Sequence, residues 1–164
     1  MKTHFDDLAH ILSRRWLSGK HTVPAPHERK AFMLWLLREC RKLDDANIRP
    51  VFVTREVSLD EVITALDRPT LPGEVKWFPV SRLHNEPNLD LMSHTQNLWF
   101  RALHDVTHWR IGAGADMEGE WRVTLAHIDS APESIHWLLM SEVAGQAAVA
   151  ITQGSFPEQK LVRM

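Results

Sequence analysis

The stretch from residue 132 to residue 152 constrains the fold more than any other part of the chain. Ser130, Pro132 and Glu133 give it a helical start, and Gly154 and Pro157 end it. At about 100° per residue, Glu142 shares a face with Ile135, Leu138, Leu139, Gln146 and Val149. The opposite side carries Ala144, Ala147, Ala148 and Ile151. A helix apolar on both sides belongs inside a core. A carboxylate on such a helix needs a cation, a hydrogen-bond donor or a metal, because otherwise it takes up a proton or destabilises the fold. Gln146, one turn later, is placed to orient Glu142. A metal-free alternative pairs Glu142 with Arg101 or Arg110.

The remaining elements follow from caps and periodicity. Residues 3–17 carry an apolar stripe of Phe5, Leu8, Ile11, Leu12 and Trp16 at helical spacing. Pro26 suits the first turn of a second helix over residues 27–43. "IRPVFVT" reads as a short strand weakened by Pro50, and "EVKWFPV" as a second. Between them "SLDE" opens a short helix from Ser58 to Leu66. "SHTQ" at Ser93 and Gly112 bound a helix over 94–111, and another starts between Asp116 and Glu120 and runs to Ile128. The predicted fold is mainly α (α+β), a helical bundle with a small two-stranded β element in mid-chain. It is read as a single domain over 1–164, with N-terminal helices and the β element in 1–92 and a three-helix core in 93–154.

Composition narrows the partners. The 164 residues carry a formal net charge of -2, so nothing calls for nucleic acid. Cys40 is the sole cysteine, which excludes a disulfide framework and a cysteine-based zinc site. Ten histidines leave imidazoles and carboxylates as the available ligands. Asp6 and Asp7 interrupt any signal-peptide core, and the apolar run Ala31–Leu37 is too short to cross a bilayer. The expected setting is the cytoplasm.

Chemistry concentrates in the last seventy residues. His104 and His108 stand four apart, so both imidazoles can reach one ion. Asp105 follows His104 directly, which imitates the H-E-x-x-H zinc motif with a carboxylate one methylene shorter. Glu120 and His127 are seven apart and share a face. Each taken alone has a plainer reading: Glu120 as a cap or partner of Arg122, His127 at a helix C-terminus. Three consecutive helices offering inward polar pairs instead suggest a site for one or two divalent ions. His84 and His136 lack such a pattern, and His94 is the candidate for an additional ligand.

The blocks "NLWFRALHDVTH", "GEWRVTLAH" and "SEVAGQ" resemble a domain of phage and prophage polyvalent or head-associated proteins. That family has the order N-x-x-F-R-A-x-H-D, a second histidine, G-E with a histidine seven residues on, and E-x-x-G-Q. The resemblance covers about fifty residues, 97–146. It departs at the second histidine, which the family places five positions after the first behind a glycine, and at Ala147, where the family continues with asparagine. It implies a metal-dependent, zincin-like or hydrolase-like activity in a bacterial host cell. Carried onto this chain, the site positions are His104, Asp105, His108, Glu120, His127, Glu142 and Gln146.

The leading expectation is therefore a metal-dependent hydrolase of phage or mobile-element origin, acting on a peptide or a phosphoester. His104, His108, His127 and Glu142 are the candidate ligands. Asp105 and Glu120 are the candidate catalytic carboxylates, with Gln146 and Arg101 supporting them. Zinc is the first choice of metal, with manganese, magnesium or iron as alternatives. One alternative is a non-catalytic accessory or host-defence-inhibiting protein that binds a host protein and has a structural polar core. A further one is an HD-type phosphohydrolase, because "LHDVTH" resembles that family's metal block. It would draw on His84 or His94 and on Asp129.

Overall fold

The computed structural model describes residues 4–164. The chain is mainly α with one two-stranded parallel sheet. It falls into two compact units: the chain up to Phe32 together with Ala113–Met164, and Met33–Gly112. The division falls between the first and second of the three helices expected over 93–154. No described helix is long and apolar enough to cross a membrane.

The first unit contains α1 (His4–Ser18), the start of α2 (Pro26–Asp45), and α5 (Met117–Ser130). The single helix expected over 132–152 is a composite. A 3-10 turn (Glu133–Ile135) leads into α6 (His136–Leu139), then a wide π turn (Met140–Gly145), then α7 (Gln146–Gln153). Ser130 does not open this composite, as its sequence suggested. It ends α5 instead, and its hydroxyl donates to the His127 carbonyl at 3.0 Å. Ile151, expected on the apolar side, is exposed. A π turn takes one extra residue, so the faces after it slip by about 100° relative to a uniform wheel.

Tertiary contacts explain the wide turn. Ser141 is fully buried within it, and its hydroxyl oxygen accepts from Trp16 Nε1 at 3.2 Å and from Val162 N at 2.9 Å. Gly145 closes it against the Trp16 ring, where a Cβ would lie only 2.4 Å from Cδ1. Around this point Ala9, Leu12, Met117, Ala144 and Ala148 form one buried cluster, and Trp16, Val149 and Val162 a second. The C-terminal segment is tied down beside them. Lys160 Nζ donates to the Leu17 and Gly19 carbonyls, both at 2.9 Å, and so caps α1. Leu161 N donates to His21 Nδ1 at 3.0 Å.

The second unit is built on a β-α-β arrangement: β1 (Ile48–Val53), α3 (Leu59–Asp67) and β2 (Lys76–Ser81), followed by α4 (His94–Ile111). The strands are parallel, in register from Ile48 opposite Lys76 to Val53 opposite Ser81. Ser58 caps α3 by accepting from Glu61 N at 3.2 Å, as its sequence predicts. Lys76 closes the other end of α3 by donating to the Leu66 and Arg68 carbonyls. Val62 and Leu66 of α3 are buried, as are Phe78 and Val80 of β2 and Phe100, Leu103 and Val106 of α4. Each strand carries a proline at its centre. Asn47 and Val53 accept from Lys76 N and Arg82 N, so alternate residues, Pro50 among the others, face away from the partner strand. By the same alternation Pro79 faces outward on β2. Neither proline deprives the ladder of a donor.

Candidate functional site

The histidine pair rests on α4, whose ends are both fixed locally. The Ser93 hydroxyl accepts from Gln96 N at 3.3 Å while the Gln96 side chain accepts from Ser93 N at 2.7 Å, a reciprocal capping box. Gly112 ends the helix in the left-handed region at φ 59°, its N–H reaching the His108 and Trp109 carbonyls. No glycine or proline interrupts residues 94–111. Asp67 Oδ1 accepts from Trp109 Nε1 at 2.8 Å and the Leu83 carbonyl from Arg101 at 2.9 Å, which holds α4 within its unit.

On this helix His104 Nε2 and His108 Nε2 lie 3.0 Å apart, with the rings edge to face at 77°. His108 is buried and His104 half-buried. Two nitrogens on a tetrahedral zinc with bonds of about 2.0–2.1 Å are separated by about 3.3 Å. The pair is thus already close to the edge of a metal polyhedron. Without an ion the same geometry is a hydrogen bond, one ring donating and the other accepting. His108 also stands in the last turn of α4.

Asp105 is half-buried on the same helix. Adjacent residues on a helix point about 100° apart, so Asp105 does not share the face of His104. Arg101, expected as a supporting residue, is engaged by the Leu83 carbonyl.

The other predicted positions belong to the first unit. Asp116 caps α5 by accepting from Gly119 N at 2.8 Å, so Glu120 is not the cap. Glu120 lies in the first turn, half-buried, and its carbonyl accepts from the Thr124 hydroxyl at 2.7 Å. His127 is buried in the last turn. Two helical turns, about 10 Å along the axis, separate them. Gly119 has a packing reason of its own: a Cβ there would fall 1.8 Å from the Gly114 carbonyl oxygen. The glycines of the "GE" and "GQ" blocks are therefore both sites of close approach.

Glu142 sits in the wide turn. Its residue is half-buried overall, yet its Oε1 is fully enclosed and receives no hydrogen bond from any described residue. Burial pushes its carboxyl up to about 8, against a hydrogen bond from Gln146 that favours the ionised form. Gln146 is itself locked, because its amide and that of Gln159 bond reciprocally at 3.0 and 3.2 Å.

His84 and His94 are exposed, and so is Asp129. His84 Nε2 lies 3.1 Å from Glu56 Oε1 at the surface. No family model, curated protein or solved structure matches the chain.

Proposed function

We propose that the protein is a metal-dependent hydrolase in which His104 and His108 supply two imidazole ligands to a divalent ion. The observation that carries this reading is the 3.0 Å approach of the two Nε2 atoms on a helix fixed at both ends. The resemblance of residues 97–146 to the phage polyvalent-protein domain supports it. So does the enclosed, incompletely bonded carboxyl of Glu142, a group that chains normally avoid burying without purpose.

His127 and Glu142 are the candidates for the remaining ligands, by residue type and sequence order. A bound divalent ion would acidify its water toward neutral pH. Glu120 would accept the proton, since Asp105 points about 100° away from His104 on α4. Zinc suits the imidazole pair best, while manganese, magnesium or iron would suit a set richer in carboxylates. The exposed positions of His84, His94 and Asp129 lend nothing to an HD-type phosphohydrolase.

The test is elemental analysis of the untagged protein beside a His104→Ala/His108→Ala variant. About one divalent ion per chain, lost in the variant, is the expected result. A folded wild-type protein that takes up neither zinc nor manganese overturns the reading. One observation favours the binding-protein alternative in that event. Leu34, Leu37 and Trp77, all in the Met33–Gly112 unit, are exposed large apolar side chains.

A further inference from the structure

A second feature of the Met33–Gly112 unit lies away from the histidines. The C-terminal half of α2, the start of β1, Trp77 of β2 and the first turns of α4 enclose a cleft of about 630 Å³. Small-molecule sites usually occupy about 300–1,000 Å³ and are mostly apolar with a few polar groups. Met33, Leu37 and Cys40 line one wall at i, i+4 and i+7, a single helical stripe. Trp77 and Trp99 add two indole surfaces. At the mouth Leu37 is 67 % exposed and Trp77 54 % exposed among the described residues. Trp99 is held edge to face against Phe52 at 5.6 Å, which preforms that side.

The charges of the cleft are Arg41, Arg49 and Asp44. Arg49 Nε already donates to Asp44 Oδ1 at 2.8 Å. That pairing leaves the exposed Arg41 as the cation facing an incoming ligand. On α4, Trp99 is about 140° from His104 and about 180° from His108, so the cleft and the histidine pair use different sides of the helix.

We propose that this cleft binds a small amphipathic anion, with its apolar body between Leu37, Trp77 and Trp99 and its carboxylate or sulfonate at Arg41. The indoles and the Met33–Leu37–Cys40 wall contribute affinity through apolar burial. Arg41 supplies the preference for an anion over a neutral molecule of the same shape. Cys40 serves as a reporter, since it is the sole thiol and stands in the wall.

The experiment uses the full chain with 8-anilinonaphthalene-1-sulfonate as probe. Saturable binding at one site per chain is expected, with competition by decanoate and not by decanol. Bound decanoate should slow alkylation of Cys40 by N-ethylmaleimide. Trp77→Ala and Arg41→Glu, both at exposed positions, should each weaken decanoate binding by about tenfold while the thermal midpoint holds. Non-saturable probe binding overturns the proposal. So does equal competition by decanol, or affinity unchanged in both variants. A concentration-dependent dimer in sedimentation, abolished by Leu37→Lys, would also overturn it, because a second copy would then be the occupant.

Discussion

Glu28 and Glu142 are carboxylates drawn into the same unit, and they meet opposite fates. Glu28 Oε2 accepts from Ala25 N at 2.8 Å, and Oε1 accepts from Trp137 Nε1 at 2.9 Å and from Arg163 at 2.6 Å. Burial alone would raise its pKa, but the bonds from Ala25, Arg163 and Trp137 outweigh burial and hold the carboxyl below its usual range. Glu142 has one amide donor and an enclosed Oε1 that no described residue serves, and burial wins. The two differ both in the donors they gather and in how strongly burial penalises the charged carboxyl. The first carboxylate is complete as built, while the second has unused ligating capacity.

The largest effect should come from Glu28→Ala. It strips three donors of their acceptor and should cost about 3 kcal/mol in urea unfolding. A loss below about 1 kcal/mol would mean that the network adds little and that the contrast with Glu142 is spurious.

Ser141→Ala comes next. It leaves the Trp16 indole N–H and Val162 N without their acceptor in a dry interior, at a cost of about 2 kcal/mol. Wild-type stability in this variant would show that the wide turn does not depend on the hydroxyl.

The comparison sharpens most with pH, in protein freed of metal by chelation. The pKa of Glu142 is raised on folding, so the unfolded chain ionises first. Its contribution to stability therefore falls as pH climbs from about 4.5 toward about 8. That of Glu28 is lowered, so its contribution is present above about 4.5 and disappears as pH falls through the depressed folded value. Glu142→Gln should remove the alkaline decline and change stability at pH 5 by only about 1 kcal/mol. Parallel pH profiles for wild type and variant would falsify the assignment.

Arg163→Ala should be the mildest. Its guanidinium lies 4.0 Å from the Trp137 ring centre and bonds to Glu28, but its side chain is 54 % exposed. About 1 kcal/mol or less is expected from thermal unfolding.

The parts legible in the sequence are those whose causes are local. Ser93 with Gln96, Gly112, and Ser58 carry their signals within a few residues, and the bounds of α3 and α4 follow from them. The i, i+4 spacing of His104 and His108 is equally local, and the rings meet as that spacing requires. The wide turn at Met140–Gly145 was not legible, because it depends on Trp16 and Val162, 125 and 21 residues away from Ser141. A uniform wheel carries no sign of the slip, and Ile151, which it sets on the apolar side, is exposed. Glu28 escaped notice for the same reason: its partners Trp137 and Arg163 are 109 and 135 residues distant. The division of the chain between α4 and α5 left no mark in composition either, since the Gly112–Asp116 turn looks like any short connection.

Pro50 and Pro79 have a wider consequence. A pair of strands has two flanks, and each flank is a place where another chain could lay down a third strand and start a fibre. Here the middle residue of each flank has no hydrogen to offer and a ring in its place. Each flank of the β element is broken at its middle by its own composition, and that works against a third strand when copies of the protein are crowded together.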